Sequence, residues 1–180
     1  MHLRVLLIAA TGLSGCAGAS VVSHGYYSSA YSPDHVQLAA ASGTALATIR
    51  NNPFPADRDN AGVLAAMQGR NVGPRMYFSQ TARPDDKFGY RVILDFARPG
   101  PSMAYQCQSE STPPVNSPPA APIEVTATFC IGDRLLTDAA GTISGITGPD
   151  DSRFRQFIGD IMGALTPPYD PSRGGNDWND

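Results

Sequence analysis

The chain has 180 residues, 42% apolar and 16% charged, which is typical of a globular domain and too apolar for a wholly disordered chain. Its 16 acidic and 13 basic residues give a net charge of −3, which predicts no nucleic-acid-binding surface. No apolar run is long enough for a spanning helix, so a multi-pass membrane protein is excluded.

The start of the chain carries the pattern of a secretory signal peptide. A short basic head, residues 1–4, precedes the apolar run 5–10, which is too short to be a stable membrane anchor by itself. The small residues Ser14 and Gly15 then precede Cys16 and allow an extended backbone to enter a peptidase site. The motif Leu13-Ser14-Gly15-Cys16 resembles the lipobox of bacterial lipoproteins, and the resemblance covers only about the first 16 residues.

That resemblance implies cleavage before Cys16 and attachment of diacylglycerol to its thiol. Several acyl chains, at about 0.8 kcal/mol per buried methylene, make such an attachment effectively permanent. Because Ala17 follows Cys16 where inner-membrane lipoproteins often carry Asp, the resemblance favours the outer membrane, facing the periplasm. Cleavage removes Arg4 and no acid, which changes the formal charge from −3 to −4. An ordinary signal peptide with a chance cysteine, or a buried amino-terminal strand, are the alternatives.

Cys107 and Cys130 are the other two cysteines, and an oxidising periplasm favours their pairing. They lie 23 positions apart, and closing such a loop is worth roughly 3 kcal/mol in the chain-entropy model. The enclosed segment contains five prolines, so it is expected to be a stiff loop that a disulfide clamps at both ends. A redox or metal-binding pair is the alternative, although the chain has no Cys-x-x-Cys spacing and no histidine near either cysteine in sequence.

Composition divides the chain into four predicted segments. These are a signal peptide at 1–15, a lipidated cysteine with a flexible tether at 16–34, a single domain at 35–168 and a loose polar tail at 169–180. The tether has the Ser, Gly and Ala content of a flexible linker, and three tyrosines make it stickier than a pure spacer: Tyr26, Tyr27 and Tyr31.

The first predicted elements of the domain are two strands and a helix. Alternating side chains predict strands at 36–38 and 44–50. The Asn- and Pro-rich segment 51–55 ends the second strand, and Asp57 or Asp59 is expected to cap a helix that ends near Gly69.

Several strands follow. Residues 75–81 are expected to form a hairpin with 88–96, the clearest strand, and 103–107 is a shorter candidate. Residues 123–131 repeat the period of two before a turn at Gly132-Asp133. On the clearest strand the side chains expected to share one face are Phe88, Tyr90, Val92, Leu94 and Phe96.

The last element is a helix with acids at its start, Asp150 and Asp151, where they complement the helix dipole. Pro167-Pro168 ends it. The order of elements predicts an α+β fold with a mainly antiparallel sheet and two helices, the carboxy-terminal helix packing on the sheet. One continuous apolar stripe runs along this helix: Phe154, Phe157, Ile158, Ile161, Met162 and Leu165.

Catalytic patterns are missing from the sequence. Ser144 precedes a glycine but does not complete a Gly-x-Ser-x-Gly nucleophile motif. A Ser-His-Asp arrangement would have to use His35 beside Asp34, because His24 lies in the predicted tether, and a surface histidine is the favoured interpretation. These residues are too sparse to predict a metal site, and no cofactor is expected.

The remaining charged residues have simple structural explanations. Paired acids at 57/59, 85/86 and 150/151 adjoin Pro or Gly, so capping and turns explain them, and none has the spacing of a calcium loop. Five arginines are scattered through the middle of the chain and could contact lipid phosphates or cell-wall carboxylates, although solvated strand faces explain them more simply. They are Arg70, Arg75, Arg83, Arg91 and Arg98.

The sequence therefore predicts a non-enzymatic, lipid-anchored periplasmic module that docks on an envelope protein or holds an assembly together. The first alternative is a binding module for an apolar or lipid-like ligand, held between the helix at 154–165 and the sheet. The second is a cell-wall hydrolase. An exposed apolar or aromatic patch away from the tether favours docking, and an enclosed apolar void beneath the carboxy-terminal helix favours the ligand carrier.

Overall fold

The computed structural model describes residues 20–41, 43–82, 88–96, 106–108 and 122–169. Within them the strands form one six-stranded sheet with the order β1-β6-β5-β4-β2-β3. The strands are β1 (Ser20–Tyr27), β2 (Thr44–Arg50), β3 (Tyr77–Ser79), β4 (Tyr90–Asp95), β5 (Ile123–Ile131) and β6 (Arg134–Ile143). The helices are α1 (Pro33–Ala41), α2 (Ala61–Met67) and α3 (Ser152–Leu165).

The α+β class is confirmed, but the sheet is mixed and carries three helices where two were predicted. The pairs β1–β6, β6–β5 and β5–β4 are antiparallel, whereas β2 pairs parallel with both β4 and β3. Strands that are parallel neighbours need a long crossover connection. Helix α2 lies in the connection between β2 and β3.

The predicted hairpin between 75–81 and 88–96 is wrong. Both segments contain strands, but β3 pairs with β2 through Ala45 and Phe78, while β4 lies on the other side of β2. Strand β2 therefore separates them. Within β4 the predicted buried face is confirmed for Tyr90, Val92 and Leu94, whereas Phe88 precedes the strand and is exposed.

The segment 36–38 is helical, which makes the predicted strand wrong. Helix α1 begins at Pro33, the first helical position at which proline is favoured. The Asp34 N–H donates to Ser32 Oγ over 3.3 Å, so Ser32 caps the helix. Val36 and Ala39, three positions apart, then face the core.

Most of the predicted tether also has regular structure. Residues Ser20–Tyr27 form the edge strand β1, which pairs antiparallel with β6 from Ser20 opposite Ile143 to Tyr27 opposite Thr137. Backbone pairing with β6 stabilises a segment whose own side chains are largely exposed, which is why its composition resembled a linker.

Strand β5 and the turn after it are confirmed, and the turn leads into a strand that the sequence did not predict. Gly132 has a φ of 53°, a left-handed conformation that favours glycine. Its N–H donates to Gly89 O over 3.0 Å. Strand β6 then pairs with β5 along its length, with a bulge between Phe129 and Cys130.

One hydrophobic core lies on the face of the sheet that α3 covers, called here the front face. Buried residues of all three helices belong to it, and the predicted stripe of α3 is confirmed as fully buried. Phe54 and Phe154 pack edge to face with their ring centroids 4.9 Å apart. At its carboxyl end α3 is fixed by Thr137 Oγ1, which donates to Leu165 O over 2.6 Å.

The opposite face of the sheet, the rear face, carries a smaller cluster built on the predicted disulfide. Cys107 and Cys130 are bonded, with their Cα atoms 5.9 Å apart, and both are completely buried. They pack with Ile93 and the partly buried Leu135. The pairing prediction is therefore confirmed.

Parts of several predictions lie outside the described residues. These are residues 1–19 with Cys16, the acid pair at 85/86, most of the strand candidate at 103–107 and most of the tail at 169–180. Of the strand candidate, residues 106–107 belong to a short helical turn and not to a strand.

Gly141 makes the contact between β6 and α3 possible, and it gives a test of the fold. A Cβ at Gly141 would lie 2.7 Å from Phe157 Cε2 and 2.9 Å from Ile161 Cδ1. Gly141→Ala is therefore expected to lower the free energy of unfolding by about 1–3 kcal/mol in urea denaturation. Gly148→Ala is the control because nothing lies within 4 Å of its added Cβ. Equal stability of the two variants would contradict the packing.

The disulfide gives a second test. Replacing Cys107 and Cys130 by Ala is expected to cost roughly 3 kcal/mol and to lower Tm by on the order of 10 °C in calorimetry, because the unfolded chain loses a cross-link. Unfolded Cys16→Ala protein, purified without reductant, should have no titratable thiol. Two free thiols in that variant would show that the cysteines are not joined.

Candidate functional site

Strand β1 forms an exposed edge that combines apolar side chains with a lack of formal charge. Val21 is 65% exposed and Tyr26 is 57% exposed. None of residues 17–33 is Asp, Glu, Lys or Arg, so the first acid after Cys16 is Asp34. An exposed sheet edge presents backbone donors and acceptors that can pair with another molecule. This edge is the described surface that comes nearest to Cys16 in the chain.

A buried carboxylate on β6 holds this edge to the sheet. The Tyr26 N–H donates to Asp138 Oδ1 over 2.8 Å, and Asp138 is only 2% exposed. Gly25 makes room for the carboxyl group, since a Cβ at that position would overlap it. Burial raises the pKa of Asp138, although the hydrogen bond from Tyr26 opposes the effect.

Aromatic side chains extend the edge beyond the strand. Tyr27 Oη lies 2.8 Å from His24 Nδ1, and the Tyr27 and Tyr31 rings lie 6.5 Å apart. Burial raises the pKa of Tyr27, with smaller contributions from Tyr169 and Asp138. Tyr169 itself is 66% exposed. His24 therefore belongs to an aromatic strand end and not to the flexible tether that was predicted.

His35, the candidate base, is engaged in structural hydrogen bonds. Its Nε2 lies 2.9 Å from Ala30 O, which can only accept, so Nε2 donates in this arrangement. Its Nδ1 lies 2.8 Å from Tyr90 Oη and accepts from that hydroxyl when the ring is neutral. Both ring nitrogens are thus used to connect α1 with β4 and the loop before α1. Ser144 is exposed beyond β6, and the hydrogen-bond partners of the His35 ring are Tyr90 and Ala30.

A row of polar side chains crosses the rear face of the sheet. Arg50, Asp95 and Thr126 are register partners on β2, β4 and β5. Asn51 Nδ2 donates to Asp95 Oδ1 over 2.8 Å. Burial lowers the pKa of Arg50, and the Asp95 carboxylate opposes this. Thr126 Oγ1 is buried without a hydrogen-bond partner.

The arginines of the middle segment do not share one role. Arg91 donates to Cys107 O and lies 3.3 Å from Asp133 Oδ1, so it ties the disulfide to the β5–β6 turn. Arg70 and Arg75 are exposed. Arg83 and Arg98 lie outside the described residues. These positions do not form one basic patch within the described part of the chain.

One acid of each pair that the structure describes accepts hydrogen bonds at the start of a helix. Asp57 Oδ1 accepts from the Gly62 N–H over 2.8 Å, and Asp151 accepts from the Arg153 N–H over 2.9 Å. Partial burial alone would raise the pKa of Asp57, but the hydrogen bonds from Gly62, Asn52 and Val63 lower it overall. Asp151 is the N-cap residue of α3, so the predicted role of the acids at the start of that helix is confirmed. The N-cap residue of α2 is Asn60, so the predicted N-cap at Asp57 or Asp59 is wrong, although the Asp57 side chain accepts hydrogen bonds from the first turn of that helix.

Two kinds of feature do not occur among the described residues: a metal-binding cluster and a membrane-spanning helix. Groups of three or more His, Cys, Asp or Glu side chains that could hold a metal ion do not occur among them. Within the same residues, no helix combines the length and the hydropathy needed to cross a membrane.

Sequence reasoning missed the residues that build the β1 edge. Asp138 was not singled out, and Gly25 was assigned to a linker. The available signal was weak: an acid inside the apolar segment 135–143 indicates either a chain break or a buried partner. Only the pairing of β1 with β6 shows that the Tyr26 N–H is that partner.

Comparison with known proteins gives no relative. No family of known sequences, no curated protein and no solved structure matches the chain. Its function must therefore be argued from its own residues.

The raised pKa of Asp138 predicts that the stability difference between wild type and an Asn variant at this position depends on pH. Because its folded pKa is raised, the protonated group contributes stability below the unfolded pKa of about 3.9, and this is lost as pH rises through the folded pKa. Asp138→Asn keeps an acceptor for Tyr26, so its stability relative to wild type should increase from pH 4 to pH 7 in urea denaturation.

Two variants control this measurement. Asp138→Ala removes the acceptor and should destabilise the fold by about 1 kcal/mol at neutral pH. Asp150→Asn changes an exposed acid in the loop before α3 and should show no comparable trend. A pH-independent difference between Asp138→Asn and wild type would contradict the raised pKa.

Proposed function

We propose that this chain is a lipid-anchored module of the bacterial cell envelope, held by acyl chains on Cys16 at the periplasmic face of the outer membrane. Its proposed role is non-enzymatic: it docks on an envelope protein or supports an assembly. The observation that carries the proposal is the order of basic head, apolar run and Leu13-Ser14-Gly15-Cys16. The disulfide supports it, because such bonds persist in oxidising compartments.

The structure lends more support to docking than to the two alternatives. The apolar stripe of α3 packs against the sheet so closely that Gly141 has no space for a Cβ beneath Phe157, which favours a packed core over a ligand cavity. For a hydrolase, the candidate base His35 has both ring nitrogens in structural contacts. A docking module requires exposed apolar or aromatic side chains away from its tether, and the described residues beyond 34 include such side chains at Leu38, Val72, Tyr77 and Phe88.

Crosslinking in intact cells, followed by mass spectrometry, tests the docking role. The proposal expects one or a few envelope proteins to be joined reproducibly to the wild-type chain and to be lost with its membrane attachment. Recovery of a cleaved cell-wall product from the purified protein would instead favour the hydrolase.

Removal of the acylated thiol tests the anchor. Cys16→Ala is expected to move the protein from the membrane fraction to the soluble fraction after cell lysis, because the acyl chains supply the attachment. Ser14→Ala retains a small residue before the cysteine and is the matched control, which should stay with the membrane. Membrane recovery of Cys16→Ala equal to that of wild type would contradict the lipid anchor.

A further inference from the structure

We propose that the edge strand β1 lies along the surface of the bilayer that holds Cys16, so that this edge is a membrane-contact surface and not only a link to the anchor. The inference rests on the proposed lipid anchor and adds an orientation to it. Its partner is the headgroup region of a phospholipid bilayer.

The short chain between Cys16 and β1 limits how far the domain can lie from the bilayer. Only residues 17–19 separate Cys16 from Ser20, the first residue of β1. At no more than about 3.6 Å per residue, this segment reaches roughly 14 Å however it is arranged. Ser20 pairs with Ile143 and cannot move away from the sheet without losing that pairing. The start of β1 must therefore lie at or near the headgroups.

The distribution of charged side chains also favours contact through β1. The mature chain is net acidic, and acidic surfaces are repelled by anionic lipids. Strand β1 carries no formal charge, so placing it among headgroups takes no ion out of water. The loop beyond β6 and the start of α3 carry exposed charges at Asp150, Arg153 and Arg155, which would have to leave water if that region lay among the headgroups. Contact through β1 is thus the less costly arrangement.

The exposed side chains at this edge are of the types found at membrane–water interfaces. Val21 and Tyr26 lie on the strand, and Tyr169 lies close enough to Tyr27 to influence its pKa. Tyrosine is enriched at membrane–water interfaces, where its ring is apolar and its hydroxyl remains hydrated. If the domain stood upright on the start of β1, Tyr26 would lie about 20 Å above the headgroups, given a rise of about 3.4 Å per residue.

In this orientation the two edges of the sheet lie at different distances from the bilayer. With strands about 4.8 Å apart, β3 lies roughly 24 Å from β1 across the six-stranded sheet. A probe next to β1 should therefore be near the lipid, and a probe next to β3 should be in water. A probe on the loop beyond β6 distinguishes an upright domain from one lying on its edge.

The test uses the full-length acylated protein purified from membranes and reconstituted into phosphatidylethanolamine–phosphatidylglycerol vesicles. With Cys107 and Cys130 bonded and Cys16 acylated, an added cysteine is the only free thiol. Fluorophores are attached in separate variants at Ser29→Cys after β1, Gln80→Cys after β3 and Thr147→Cys beyond β6, all exposed positions. Quenching by headgroup-attached nitroxide lipids is then measured.

The proposal expects several-fold stronger quenching at position 29 than at position 80. Strong quenching at position 147, with positions 29 and 80 both weak, would overturn it in favour of an upright domain. Equal, weak quenching at all three sites would overturn it as well. Vesicle flotation is read in the same samples: a protein that does not float has no lipid anchor, and that result refutes the proposed function itself.

Charge variants test the surface directly. Tyr26→Glu should reduce quenching at position 29 several-fold, while Tyr77→Glu, on the opposite edge and 52% exposed, should leave it unchanged. Val21→Gln is a milder second variant should Tyr26→Glu fail to fold, and its expected effect is smaller and in the same direction. Undiminished quenching at position 29 in folded variants of both residues would refute the contact.

Discussion

The antiparallel pairing of β1 with β6 is the constraint on which the rest of the structure depends. It turns a segment of linker-like composition into the edge of a sheet and fixes the domain a few residues from Cys16. Two small residues allow it: Gly25 leaves space for Asp138, and Gly141 lets Phe157 of α3 approach β6. Helix α3 covers β6 and β1 together, so helix packing and edge pairing support each other.

Most polar side chains that could take part in catalysis or metal binding make structural contacts instead. His35 joins α1 to β4, Asp57 accepts hydrogen bonds from the first turn of α2, and Asp95 belongs to the polar row of the rear face with Arg50. The two proposals are therefore based on location and surface: an anchor in the sequence for the proposed function, and an apolar, uncharged edge next to it for the contact with the bilayer. These two features are independent, since one is a short motif and the other depends on the fold.

Much of the fold could be predicted where a single period extended over many residues. The stripe of α3 and the alternation in β5 are long enough to exclude other structures, and the disulfide followed from compartment and spacing. Predictions that rested on short or mixed hydrophobic patterns were wrong. Residues 36–38 fit both periods, and the decisive signal was Ser32 followed by Pro33, a helix start.

Strand pairing and the site were harder to predict because they depend on distant contacts. Strand β6 contains Ala139, Ala140 and Gly141, residues of low β propensity, and Gly141 is needed there because Phe157 and Ile161 of α3 occupy the space above it. The predicted hairpin between β3 and β4 is wrong because β2 lies between these two strands in the sheet. The β1 edge could not be predicted because its partner Asp138 lies 112 positions away in the chain.

The mass of the amino-terminal peptide, measured on protein extracted from bacterial membranes, tests the central claim most directly. The account predicts a peptide that begins at Cys16 and carries diacylglycerol and a further acyl chain. A peptide that begins at Met1, or an unmodified Cys16 thiol, would contradict it.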